Sequence, residues 1–275
     1  MRIRITSGDN RTVKLAKLLS TKKGRDRCGA YLIEGPKLLA EALDHDAEIL
    51  FAFFCEERPG GPPRCEASAE RLANTSADVL LTTERIFRSI ADTETPQGVL
   101  AAVGKPVCDA AGFFSRVADG NVLVLDCVRD PGNVGALIRT ADAAGFGVLA
   151  ASGTGDPYAP KAVRAAAGAL FRVPLLLVRD ADAALALLAA AGKRVVVADA
   201  RGGRSCHEAD LARDLALVIG NEGRGVSRAF AAGASLAVRV PMPGGAESLN
   251  AAAAAAVLLF ESVRQRAAAE GGEAE

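Results

Sequence analysis

The chain has 275 residues, half of them apolar, which is enough hydrophobic side chain for two ordinary domains and argues against disorder. Its 33 Lys and Arg balance 33 Asp and Glu, which excludes a uniformly basic nucleic-acid binder. Six scattered cysteines without a C-x-x-C pair and only two histidines indicate neither a zinc site nor a disulfide framework, and no metal is expected.

The charge is nevertheless uneven along the chain. Between residues 1 and 37 ten Lys and Arg stand against three acids, which makes the N-terminal stretch a positive arm. No signal-type apolar core opens the sequence, and no apolar run free of charge and turn residues reaches the ~20 residues needed to span a bilayer. A cytoplasmic protein without a membrane partner is therefore expected.

The first helix is predicted where Val13, Leu15, Leu18 and Leu19 form an apolar stripe, with Lys14, Lys17, Lys22 and Lys23 outside it. "AYLIEG" reads as a strand, and Pro36 suits the first position of a helix over 37–43, where no N–H is needed. "ILFAFFC" (49–55) has strand length, "EERPGGPPRC" (56–65) is a loop, "ADVLLTT" (77–83) is a strand, and a helix follows from Glu84. "TPQGVLAAV" (95–103) returns to strand, completing a small α/β domain. Residues 105–120 mix Pro, Gly and polar residues and read as a linker.

Beyond it, strand signals recur at 121–126, 147–152, 173–178, 194–199, 215–220 and 236–240. Helices are predicted over 134–144, 160–167, 181–191 and 226–231. Unbroken Val, Leu and Ile runs separated by helices imply a parallel sheet covered on both faces, with functional loops at the carboxyl ends of the strands. A last helix runs through the alanines from Ala251, with its start read at Glu247 or Ser248. Its small side chains suit a close approach by another backbone.

Three strand exits stand out. "CVRDPGNVGALIRTADAAGFG" follows the 121–126 strand; in it Pro131 and Gly132 turn the chain, Asn133 is placed to cap a helix, and Arg139 lies on that helix. "NEGRGVSRAF" follows the 215–220 strand, and "PMPGGAESLN" follows the 236–240 strand. No G-x-G-x-x-G follows the domain's first strand, and neither a phosphate-binding G-x-x-x-x-G-K-[ST] nor a G-x-S-x-G elbow is present.

"NVGALIRTADAAGFG", "VIGNEGRGVS" and "VPMPGGAESLNAAAAAAVLLFE" together resemble, in order, spacing and strand-exit placement, the three motifs of the SpoU (TrmH) family of RNA ribose 2′-O-methyltransferases in the SPOUT superfamily. "NRTVKLAKLL" and "AYLIEGPKLLAEAL" resemble the substrate-binding domain that often precedes it. The resemblance implies an α/β fold: a SPOUT domain over 120–275 with a parallel sheet and a trefoil knot, a linker over 107–119, and a small α/β RNA-binding domain over 1–106. It implies S-adenosylmethionine as cofactor, held near Gly220, Val240, Met242 and Leu249, and a homodimer. It marks Arg139 as catalytic, with Asn133, Glu222, Ser248 and Asn250 matching the remaining motif positions. Glu222 has organising its loop as an alternative role, and Ser248 and Asn250 have capping the last helix. The substrate implied is structured RNA, ribosomal ahead of transfer RNA, with a non-catalytic RNA-binding relative as the alternative. Lys14, Lys17, Lys22, Lys23, Arg25 and Arg27 are the expected RNA-binding residues of the arm.

Overall fold

The computed structural model describes residues 2–55, 64–117 and 120–272. Two compact units emerge: Met1–Val107 with Asp156–Phe171, and Cys108–Gly155 with Arg172–Glu275.

The first unit has strands β1 (Arg2–Ile5), β2 (Ala30–Glu34), β3 (Ile49–Cys55), β4 (Asp78–Thr82) and β5 (Val99–Gly104). They form one sheet in the order β1-β4-β3-β5-β2, parallel except where β5 pairs antiparallel with β2 and β3. Helices α1 (Arg11–Leu19), α2 (Lys22–Cys28), α3 (Pro36–Asp44), α4 (Arg64–Ala73) and α5 (Glu84–Arg88) connect the strands. Of the expected loop over 56–65, residues 56–63 lie outside the described residues, and Arg64 already opens α4.

The first predicted helix is two helices. Asn10 caps α1 by accepting from the Thr12 N–H at 2.8 Å, and Thr21 caps α2 through the Gly24 N–H at 3.1 Å. The buried face of α1 is Val13, Ala16 and Leu19, so Leu18, read as part of the stripe, is 39% exposed.

The second unit carries β6 (Val122–Leu125), β7 (Gly147–Ala151), β8 (Leu175–Val178), β9 (Arg194–Ala198), β10 (Arg204–Ser205), β11 (Leu215–Ile219) and β12 (Leu236–Arg239). Its helices are α6 (Ala110–Arg116), α7 (Pro131–Ala144), α9 (Ala181–Ala190), α10 (Arg228–Gly233) and α11 (Ala251–Gly272), while α8 (Pro160–Ala166) belongs to the first unit. All seven strands are parallel, in the order β10-β12-β9-β11-β6-β7-β8. Both faces of β6, β7 and β11 are buried, as expected of a parallel sheet with helices on each side. Val122, Val124, Ala216 and Val218 meet Phe113, Leu188 and Phe230 in the core of one face.

The stretch expected to link the domains is not a plain linker. Asp109 accepts from the Gly112 N–H at 2.7 Å and starts α6, and Phe113 on that helix is fully buried. Burying one Phe contributes about 1.5–3 kcal/mol, which offsets the ~1 kcal/mol cost of a glycine inside a helix. Residues 118–119 of the stretch lie outside the described residues.

Asp156–Phe171, between β7 and β8 in sequence, packs within the first unit. Arg25 shows why: its guanidinium donates to Asp156 Oδ2 at 2.9 and 2.7 Å and to the carbonyls of Leu19 and Ser20. The Tyr31 and Tyr158 rings pack in a tilted pair with centroids 4.9 Å apart, and the Lys105 ammonium lies 5.1 Å from the centre of the Tyr158 ring. Arg25 is only 3% exposed, so it is removed from the expected RNA-binding face: a fork matched by a carboxylate and two carbonyls is an internal brace. Among the described residues no helix is long and apolar enough to cross a membrane.

Candidate active site and cofactor cavity

In the second sheet β12, β9 and β11 are neighbours, so their carboxyl ends open side by side. The loops leaving them, with the start of α11, line a cavity of about 1060 Å³. This is where a doubly wound sheet places a ligand. Gly220, Val240, Met242 and Leu249, the positions expected to hold the cofactor, all line it, as do Glu222, Ser248 and Asn250. The loop from Asp199 to Arg201 also lines it. The sequence offered a signal for that loop, because Asp199 ends the "RVVVAD" strand at the same sheet edge.

Gly220 leaves β11 into the tight "NEGRG" loop, where Asn221 and Gly225 exchange backbone hydrogen bonds of 2.9 and 2.8 Å. A Cβ on residue 220 would lie 2.3 Å from backbone atoms of Gly225 and Val226, so only glycine lets the loop close. The Asn221 side chain holds the turn from inside. Its oxygen accepts from the N–H groups of Gly223 and Arg224 at 3.1 Å, and its amide donates to the Cys127 carbonyl at 3.0 Å. Nothing in the motif's sequence alone marks Asn221 for this role.

β6 lies beside β11, which brings the first motif against the second. Asp130 caps α7 by accepting from the Asn133 N–H at 3.0 Å, so Asn133 stands inside the first turn instead of capping it. That frees its side chain. The Asn133 amide donates to Glu222 Oε1 at 3.0 Å and its oxygen accepts from the Asn250 amide at 3.0 Å. The Asn250 oxygen in turn accepts from the N–H groups of Ala252 and Ala253 at 2.9 and 3.4 Å and so caps α11, two or three residues later than expected. One residue from each motif therefore joins a continuous hydrogen-bonded chain at the cavity.

Burial around Glu222 works against its charge. The Asn133 amide and the backbone N–H groups of Glu222 itself, Arg129 and Asp130 outweigh that effect and hold the carboxyl below the usual carboxylate range. Glu222 is therefore an anion and hydrogen-bond acceptor at neutral pH. Arg139 is exposed on α7 and does not line the cavity. Six residues at roughly 100° each turn it about 120° around the helix from Asn133, so the structure does not bring those two side chains together. Ser248 is exposed, and Leu249 is 40% exposed at the cavity.

On the first unit Lys14, Lys17, Lys22, Lys23 and Arg27 are exposed. Lys14 pairs with Asp9 at 3.0 Å and Lys22 with Asp26 at 2.7 Å.

A parallel α/β unit with a cavity at adjoining strand ends, closed by a glycine-tight loop and a capped C-terminal helix, is a small-molecule cofactor fold. Residues 120–260 match the SpoU rRNA Methylase family model, and residues 10–101 match the MRM3-like substrate binding domain. The chain belongs to the SpoU family. It is 35% identical to the 23S rRNA (guanosine(2553)-2′-O)-methyltransferase RlmP of Bacillus subtilis, across 93% of this chain and 97% of that protein. It is 31% identical to the 23S rRNA (uridine(2479)-2′-O)-methyltransferase of Streptomyces viridochromogenes, across 96% and 92%. Among solved structures, the AdoMet-bound rRNA methyltransferase from Sinorhizobium meliloti superposes with a TM-score of 0.85 at 31% identity, covering 96% of this chain and 98% of that one.

Proposed function

We propose that this protein is an S-adenosylmethionine-dependent methyltransferase that modifies a ribose 2′-hydroxyl of ribosomal RNA in the cytoplasm. The observation that carries the reading is the chain Asn250–Asn133–Glu222, which ties the three family motifs together at the mouth of one cavity. The ribosomal substrate is supported by relatives named as 23S rRNA methyltransferases over nearly their whole length.

The cavity residues fit the cofactor. Ile219, Val238, Leu249 and Leu258 offer an apolar wall for a purine, and Asp199 and Glu222 offer acceptors for hydroxyl or ammonium groups. When bound, the cofactor supplies a sulfonium-activated methyl group. Gly220, Val240, Met242 and Leu249 are assigned to holding it.

The protein's own contribution is placement, which in well-oriented systems lowers a barrier by up to roughly 7–11 kcal/mol. Arg139, whose planar guanidinium presents a fork of N–H donors, is assigned to the RNA phosphate beside the target ribose and to the developing alkoxide. The 2′-hydroxyl proton then passes to a phosphate oxygen or water. Glu222 and Asn250 hold the loops that shape the mouth, and Ser248 lies exposed beside them for contact with the nucleotide. A knotted C-terminal loop and a homodimer belong to the same reading. The dimer is supported by Leu249, Val257 and Phe260, which leave 39–48% of their surface exposed at and along α11.

Isothermal titration with S-adenosylmethionine, together with mapping of 2′-O-methyl groups in ribosomal and transfer RNA with and without the gene, tests the proposal. Absence of binding at millimolar cofactor, or an unchanged map, would overturn it.

A further inference from the structure

The first unit holds a second cavity, of about 330 Å³, which the methyl-transfer site does not use. It lies at the head of α3, between the residues leading into β5 and the end of α8. Glu34 braces its wall: one carboxylate oxygen accepts from the Thr93 hydroxyl and the other from the Asp92 N–H at 3.1 Å.

The head of α3 is open to a ligand. No side chain caps it, and Pro36 has no N–H, so Lys37 and Leu38 carry the first N–H groups of a helix whose N-terminal end is partly positive. Both residues line the cavity. Gly35 has φ +104°, and a Cβ there would lie 3.1 Å from Gln97 Oε1, so glycine lets the Gln97 amide lie against this turn. The Lys37 side chain is exposed and has no hydrogen bond or ion pair among the described residues. Arg164 also lines the cavity, and Asp92 takes up only part of its five-donor fork.

We propose that this cavity seats one unpaired nucleotide of the RNA that the protein methylates. Its base rests on Leu38 and Ala167, with Gln97 and Thr95 on its edge, and a flanking phosphate sits at the head of α3 between Lys37 and Arg164. The volume lies at the lower end of ligand pockets, about 300–1,000 Å³, which suits a single nucleotide. Specific RNA recognition favours this arrangement, because unpaired bases expose their edges to hydrogen-bonding side chains. The site rests on the RNA-methylating function proposed above and adds where on the first unit the substrate docks.

The test uses the full-length protein and 23S ribosomal RNA transcribed in vitro, with filter binding over a range of salt. Lys37→Glu is expected to weaken RNA binding about tenfold and to reduce the salt slope by about one. Gln97→Ala leaves the charge unchanged and is expected to weaken binding about fivefold without changing the slope. Melting temperature and S-adenosylmethionine affinity should match the wild type in both, and photo-crosslinked RNA should map to peptides containing Lys37 or Gln97. Unchanged RNA affinity in both variants, with crosslinks elsewhere, overturns the docking site even if the wild type methylates normally. A wild type that transfers no methyl group while both variants lose RNA affinity overturns the enzymatic reading and supports the site.

Discussion

Asn133 and Asn250, 117 positions apart in sequence, meet through a 3.0 Å hydrogen bond from the Asn250 amide to the Asn133 oxygen. Because that oxygen accepts from Asn250, the Asn133 nitrogen is left to donate to Glu222. A carboxylate at position 133 could not donate, and would set two negative groups about hydrogen-bond distance apart. Asn133→Asp should therefore lower the methylation rate about 10- to 100-fold, the loss expected for a hydrogen bond to a charged group. Single-turnover kinetics with radiolabelled cofactor measures it, and an unchanged rate would detach the network from catalysis.

Arg139 stands apart from this network and from the cavity. Arg139→Ala should abolish methyl transfer and leave S-adenosylmethionine affinity within about twofold. Paired calorimetry and activity assays separate the two effects, and a parallel loss of cofactor binding would make the residue structural.

Gly220→Ala places a methyl group where the Gly225 and Val226 backbone already lies. Overpacking of this kind costs about 1–3 kcal/mol. The melting temperature should fall and cofactor affinity should drop with it. Differential scanning fluorimetry with and without cofactor reads both, and a normal melt with normal binding would show that the loop has room.

Asp26 accepts from Lys105 and Lys22, and these two lysines, Lys105 first, pull its carboxyl down to about 2. The folded value lies below the unfolded one, so the stabilisation is fully present above about pH 4. It fades as the pH falls from there towards 2. A carboxyl NMR titration should place Asp26 near 2, and Lys105→Gln should move it back towards the ordinary range. A titration unaffected by that substitution would remove Lys105 as the cause.

The basic arm divides into two kinds of residue. Arg25→Ala breaks a buried pair with Asp156 and should cost about 3–5 kcal/mol in urea denaturation. Lys17, Lys23 and Arg27 are exposed, and their joint replacement by Gln should leave stability within about 0.5 kcal/mol each. The triple variant should flatten the salt dependence of RNA binding. An unaltered slope would take the arm out of RNA contact.

Most strands were evident in the sequence, because unbroken Val and Leu runs have few places to go except a two-sided parallel sheet. Local capping was harder to read. Asp130 and Asn133, and likewise Ser248 and Asn250, offer the same oxygen chemistry within one turn, and tertiary partners decide which is used. The burial of Arg25 depends on Asp156, 131 positions away, which no periodicity encodes. Phe113 turned a linker-like stretch into α6 through its buried ring, an outcome set by the core it enters and not by local composition.

Because Asp156–Phe171 completes the first unit, that unit is not continuous along the chain. On the ribosome it lacks its last helix, and Arg25 lacks its carboxylate, until β6, α7 and β7 have been synthesised. The two units therefore cannot fold as strictly successive beads. A cut at residue 106 would strand Tyr158, Val163, Ala166 and Leu170 without the core that buries them. Swapping the first unit between relatives requires exchanging both pieces together.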